Sequence, residues 1–228
     1  MWSGPRNLST ALLRSFGARR DTVVVDEPLY AHYLATTGLD HPGREAVIAS
    51  QPTRWQDVAA TLTGPLPPGV RVSYQKHMAH HLLPGIGRDW IGRLSNAFLI
   101  RDPDHVVASY AKVRGAPTLA DLGYVQQAEI YRAYGGPVVD AADLLRDPPG
   151  VLARLCAALG IGFDEAMLSW PPGRRDTDGV WAPHWYANVE ASTGFGQHDP
   201  RPAEVPERLG WLAEAARPFY DELAEHRL

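Results

Sequence analysis

The sequence predicts an α/β fold: a three-layer sandwich with a central parallel sheet, closed at the C-terminal end by an irregular cap and a helix. Three observations predict it. Short apolar runs, several of them β-branched, recur along the chain and end in polar residues. Most lead into a stretch with helical apolar spacing, and that alternation implies parallel strands covered on both faces. The third is size: 228 residues, 45% of them hydrophobic, should bury roughly 70% of the surface the unfolded chain exposes, so neither disulfides nor a structural metal is needed.

Met1-Trp2-Ser3 is the first strand, so short that either it is minimal or the true start lies upstream. A helix over Ser9–Phe16 follows. Thr22–Val25 is a β-branched strand ending at Asp26-Glu27-Pro28, where Pro28 is suited to a first helical position. Residues 28–50 read as irregular, and Arg54–Leu62 as a helix. Val70–Tyr74 alternates as a strand and ends at Gln75-Lys76-His77. Ala97–Ile100 ends at Arg101-Asp102-Pro103 and feeds a helix over His105–Val113. Leu119–Tyr134 is helical, and Pro137–Val139 is a short strand leading to Asp140. In Pro149–Leu159 the apolar residues Val151, Leu152, Leu155, Ala158 and Leu159 form one stripe, and Gly160 stands where a helix stop belongs. Ser169–Ser192 has no periodicity but three tryptophans, which favours an ordered loop or cap, about 169–200, over a disordered one. Glu204–His226 closes the chain as one helix or two. No repeat or linker divides residues 1–228, so a single domain is expected.

Composition narrows the function. The formal net charge of −4 argues against a nucleic-acid partner. The single cysteine, Cys156, excludes an intrachain disulfide and suits a reducing compartment. No apolar run approaches the ~20 residues of a membrane span and the N-terminus has no signal-peptide pattern, so a cytoplasmic location without a membrane partner is expected. The only lysines are Lys76 and Lys112. In so arginine-biased a chain, a retained lysine points to a place where a guanidinium does not fit.

Ser3-Gly4-Pro5-Arg6-Asn7-Leu8-Ser9-Thr10 links the first strand to the first helix, a place where backbone N–H groups and the positive helix end meet an anion. It is not a GxxxxGK[ST] loop, since Ser9 and Thr10 stand where Gly and Lys would be. Read alone, Asn7 or Ser9 could equally cap an ordinary helix. Three stretches together go further. Pro5-Arg6-x-x-Ser9-Thr10 is similar to the P-[KR]-S-G-[ST]-T loop of sulfotransferases. Leu99-x-Arg101-Asp102-Pro103, with Ser109 beyond it, resembles their L-x-R-[DN]-P…S motif. Asp143-Leu144-Leu145-x-Asp147-Pro148, then Leu155-Cys156-x-x-Leu159-Gly160, resembles the stretch after their fourth strand. The chain thus resembles a bacterial-type sulfotransferase, which implies a P-loop nucleotide-binding-like fold and 3′-phosphoadenosine 5′-phosphosulfate as cosubstrate. One departure matters: the family's Ser-Gly pair is Asn7-Leu8 here, and Leu cannot take a positive φ as cheaply as Gly.

What the resemblance implies for the site is specific. Pro5, Arg6, Asn7, Leu8, Ser9 and Thr10 would hold the 5′-phosphosulfate, with Arg6 stabilising the leaving phosphate. Arg101 and Ser109 would grip the 3′-phosphate, a forked guanidinium and a hydroxyl suiting a dianion; an Arg101–Asp104 surface pair is the plainer alternative. Glu27, at a strand end, is the base for the acceptor, or else part of a helix cap. Lys76 would assist the leaving group, with His77 the alternative base. Arg174 or Arg175 would reach the 3′-phosphate, and Trp181 would flank adenine or acceptor unless it is a core residue. His77, His80 and His81 have metal-like spacing without an accompanying carboxylate, and Asp176-Thr177-Asp178-Gly179 lacks the later ligands of a calcium loop; no metal is expected. The partner is then a small-molecule acceptor with a hydroxyl or amine. A P-loop kinase, or a non-catalytic nucleotide-binding relative, are the competing functions.

Overall fold

The computed structural model describes residues 1–112 and 117–228. Its strands form one parallel five-stranded sheet in the order β2-β3-β1-β4-β5, made of β1 (Trp2–Ser3), β2 (Thr22–Asp26), β3 (Val72–Met78), β4 (Phe98–Ile100) and β5 (Val138–Asp140). Short β1 sits at the centre, pairing Trp2 with His77 on one side and with Phe98 on the other. Helices α1 (Ser9–Gly17), α2 (Tyr30–Thr37), α3 (Arg44–Ser50) and α4 (Trp55–Leu62) precede β3. Then come α5 (Pro103–Ala111), α6 (Leu119–Leu122), α7 (Tyr124–Tyr134), α8 (Ala141–Arg146) and α9 (Pro148–Ala158), followed by the four-residue α10 (Ala182–Trp185) and α11 (Ala187–Glu190) and by α12 (Gly210–Ala224).

Strand alternation sorts the core into two faces. Leu99 and Val139 face α1, α8 and α9, where Leu12, Leu13, Phe16, Leu144, Leu152, Leu155 and Cys156 are buried. Phe98, Ile100 and Val138 face the other way, against Trp2, Val58, Leu62, Ile130 and Leu223. The helical layers on both sides are those the strand–helix alternation predicted.

Three boundaries differ from the expectation, each for a physical reason. β3 does not stop at Tyr74 but runs on through Gln75, Lys76 and His77. Their polarity suggested an end, yet each is buried and partnered, Gln75 donating from Nε2 to the Leu62 carbonyl at 2.9 Å. The single helix expected over 119–134 is two, because Gly123 takes a left-handed φ of 75° between α6 and α7. Residues 28–50 are not irregular: α2 and α3 lie there, and the first helix starts at Tyr30 rather than at Pro28. Residues 169–192 are ordered, as expected, and are tied back by a Ser169–Gly194 bridge. The expected helix end at Val113 lies outside the described residues.

Candidate active site

The C-terminal ends of β1 to β4 open into a cavity of about 650 Å³, where ligands of open α/β sheets bind. Its floor is the loop after β1. Arg6 there has a φ of 56°, a left-handed backbone that a non-glycine residue holds only when its surroundings fix it, at a cost of about 1–3 kcal/mol. They do so here: the Arg6 carbonyl accepts from Arg101 Nη1 at 2.7 Å, and Asn7 Nδ2 donates to the Leu99 carbonyl at 3.0 Å. Leu8, where strain was expected, has an ordinary φ of −83°; the turn has moved its positive φ to Arg6. Gly4 allows the close approach beneath the loop, since a Cβ there would meet the Leu122 carbonyl oxygen at 2.3 Å. Leu8 provides no side-chain cap for α1, so its first-turn N–H groups are open to an anion.

Arg6, Arg101 and Ser109 converge although they come from three segments. Arg6 Nε donates to Ser109 Oγ at 3.1 Å, and Arg101 reaches the Arg6 carbonyl as described. Tyr124 holds the start of this turn by donating to the Arg101 carbonyl at 2.5 Å. Asp102 caps α5 through the Asp104 N–H and pairs with Arg217 on α12. The expected alternative of an Arg101–Asp104 pair does not form: Asp104 pairs with Arg217. With Pro5, Asn7, Leu8, Ser9 and Thr10, these cationic residues line one wall of the cavity.

Glu27 also lines the cavity, directly after β2, with a φ of 39°. Its backbone N–H donates to the Lys76 carbonyl at 2.9 Å and its carboxylate accepts from Lys76 Nζ at 2.8 Å. Burial pushes the carboxyl above the ordinary glutamate range; Lys76 pulls it down, and neighbouring Asp26 pushes it up again. The net direction is up, as a general base near neutral pH requires. Beyond Glu27 the cavity wall turns aromatic. His81 stacks between Tyr30 and Tyr33 at ring distances of 4.6 and 4.7 Å, and burial followed by the charge of His80 keeps its imidazole neutral, well below the usual histidine range. Among the described residues no cluster of three or more His, Cys, Asp or Glu is arranged to hold a metal.

Several expected residues sit elsewhere. Lys76 is 1% exposed and does not line the cavity. Its three protons go to Asp26 at 2.9 Å, Glu27 at 2.8 Å and the Tyr186 hydroxyl at 2.6 Å. It stands behind Glu27 rather than against the cavity. His77 points to the opposite face of the sheet, as the residue after Lys76 on a strand must. There it stacks on Trp2 at 4.2 Å beside Gln75, so it is no alternative base. Burial holds its imidazole well below the ordinary range. Trp181 is a core residue, 1% exposed, edge-on to Tyr30, with its indole N–H on the Tyr186 hydroxyl at 3.1 Å. It does not flank the cavity. Neither does Arg174 or Arg175; the Arg175 guanidinium donates to the Pro171 carbonyl at 2.6 Å. The cation that does anchor this segment is Arg14 on α1, in a buried bidentate pair with Asp178.

The family described as Sulfotransferase domain matches residues 1–226. The chain belongs to the sulfotransferase family. The fold is shared with a solved structure, the sulfotransferase domain from the curacin biosynthetic pathway: the similarity covers 95% of each chain, at 15% identity and a TM-score of 0.53. The chain is also similar to the sulfotransferase domain from the Synechococcus PCC 7002 olefin synthase, over 94% of this chain and 92% of that one, at 17% identity and a TM-score of 0.47. Two Arabidopsis thaliana proteins, branched-chain-amino-acid aminotransferase-like proteins 1 and 2, are 38% and 34% identical over 99% of the chain. The chain spans 41% of the length of each. No helix among its described residues is long and apolar enough to cross a membrane.

Asp26, Tyr30 and Tyr186 were missed in the sequence. Asp26 had a signal, being a second carboxylate at a strand end. Tyr186 had none, because its partners lie 110 and 160 residues away.

Proposed function

We propose that this sulfotransferase moves a sulfuryl group from 3′-phosphoadenosine 5′-phosphosulfate to the hydroxyl or amine of a small-molecule acceptor. One observation carries the reading: the phosphate loop with Arg6, the Arg101–Ser109 pair and the raised carboxyl of Glu27 line a single cavity. Arg101 and Ser109 are suited to the 3′-phosphate, Arg6 and the open N-terminus of α1 to the phosphosulfate. The acceptor atom attacks sulfur while its proton passes to Glu27. The bond from sulfur to the bridging oxygen breaks, and the charge left on the 5′-phosphate is met by Arg6 and the loop N–H groups. Thr10, not a lysine, stands where a Walker lysine would, which favours this reading over a nucleoside-triphosphate kinase.

Thermal melting separates the donor classes. A ligand at 100-fold its Kd stabilises by about 2.7 kcal/mol, on the order of 5–10 °C for a domain of this size. 3′-Phosphoadenosine 5′-phosphate should produce such a shift, and ATP with magnesium should not. A larger shift with ATP and magnesium would reverse the assignment. With a radiolabelled donor and a panel of hydroxyl and amine acceptors, Glu27→Gln should lower turnover about 10²–10⁴-fold while nucleotide affinity is kept.

A further inference from the structure

Glu27 does not stand alone on its wall. Lys76 Nζ lies at the centre of a buried triangle whose corners are Asp26 Oδ1, Glu27 Oε1 and the Tyr186 hydroxyl, at 2.9, 2.8 and 2.6 Å. The triangle is closed on its far side. Tyr186 donates to Asp26 Oδ2 at 2.7 Å and accepts from the Trp181 indole, while the Gly179 N–H also reaches Asp26 Oδ2 at 3.2 Å. Every ammonium proton of Lys76 therefore has an acceptor, and the Tyr186 hydroxyl uses its one proton and accepts two more. One ammonium faces two carboxylates, so the cluster carries an excess negative charge away from water. Of the two carboxylates only Glu27 lines the cavity; Asp26 stays behind it.

We propose that Asp26 and Tyr186 are positioning residues for the base: they fix Lys76, and Lys76 fixes the Glu27 carboxylate toward the cavity. This deepens the proposed function and rests on Glu27 being the base. Asp26 supplies the second negative charge that keeps Lys76 from neutralising Glu27 fully, so that the carboxylate remains able to take a proton. Tyr186 has the opposite influence. Its one proton goes to Asp26 Oδ2 at 2.7 Å, so it tempers the Asp26 charge that opposes ionisation of Glu27, and it arrives on the C-terminal segment, so docking of that segment completes the base. The groups facing Glu27 are Lys76 on β3, Asp26 on β2, Tyr186 after α10 and Tyr30 on α2. Arg6, His80 and His81 line the same cavity.

The two residues act on Glu27 with opposite sign, which gives a test that does not depend on knowing the acceptor. Isotope-labelled glutamate carboxyls are titrated by NMR in the wild-type chain, the Glu27 signal being the one absent from Glu27→Gln. Asp26→Asn removes the like charge, so the Glu27 midpoint should fall by about one pH unit. Tyr186→Phe removes the hydroxyl, so the midpoint should rise. A merely structural role would loosen the site, admit water and lower the midpoint in both. Both falling, or neither moving, would overturn the proposal. If Asp26→Asn does not fold, the rise expected of Tyr186→Phe decides alone. Turnover by Glu27→Gln at the wild-type rate, with the two midpoints shifting as expected, would remove the base assignment and leave the positioning geometry intact.

Discussion

Replacing Asp178 by alanine should be among the most destabilising single changes in the C-terminal segment. Its carboxylate forms a bidentate pair with Arg14 and also accepts the Arg175 N–H at 2.8 Å. The two side chains of the pair are 2% and 0% exposed. Truncation leaves the Arg14 guanidinium charged and enclosed, with Nε already lacking a partner. Breaking a buried pair in this way costs about 3–5 kcal/mol. For a domain of this size that lowers Tm on the order of 6–20 °C. Arg14→Met combined with Asp178→Ala should recover much of the loss, since the stranded charge is gone. Burial works against ionisation of Asp178, but the hydrogen bonds from Arg14 and the Arg175 N–H outweigh it, and the folded carboxyl lies below the usual aspartate range. Stability from this group is therefore present above the unfolded value of ~3.9 and lost as pH falls through the lowered folded value. Melting curves of wild type and Asp178→Ala should begin to approach each other below about pH 4 and converge only once the pH is under the lowered folded value. A loss under about 1 kcal/mol at neutral pH, or a double variant as unstable as the sum of its singles, would refute the buried-charge argument.

Two further predictions concern the cavity. Arg101→Ala removes both a cation facing the cavity and the donor to the Arg6 carbonyl; it should weaken binding of 3′-phosphoadenosine 5′-phosphate about 10–100-fold, since hydrogen bonds to charged groups are worth about 1.5–3 kcal/mol, and calorimetry would show whether it does. Because Glu27 is raised by burial, the acid limb of kcat/KM should lie above the ordinary glutamate value of ~4.3. Activity should fall as pH drops through that raised value; a limb at or below ~4.3 would contradict the assignment.

Much of this was legible locally. The apolar runs ending in polar residues located four of the five strands, because a buried parallel strand must be apolar and its C-terminal end must meet the ligand; the first strand was placed only by the turn that follows it. Glu27 was legible from its place at a strand end, whereas Arg6, Arg101 and Ser109 were legible from the resemblance to sulfotransferase motifs. β3 was misjudged at Gln75-Lys76-His77, since local polarity says nothing about distant partners such as Leu62 and Tyr186 that make those residues buriable. The glutamate's neighbour Asp26 was passed over because its partners, Lys76 and Tyr186, are distant in sequence.

The scarcity of lysine marked Lys76 from the sequence, and the sequence alone determined that a compact ammonium was kept at a strand where arginines abound elsewhere. Only the tertiary structure decided what that ammonium does. Periodicity fixes which face of a strand a side chain takes, so Lys76 and His77 had to part. It cannot fix which groups from β2 and from a segment over 100 residues downstream will close around it. That closure depends on long-range packing and on every buried polar atom finding a partner. The same physics placed Trp181 in the core, Arg14 rather than Arg174 under the C-terminal segment, and the strained φ at Arg6 rather than at Leu8.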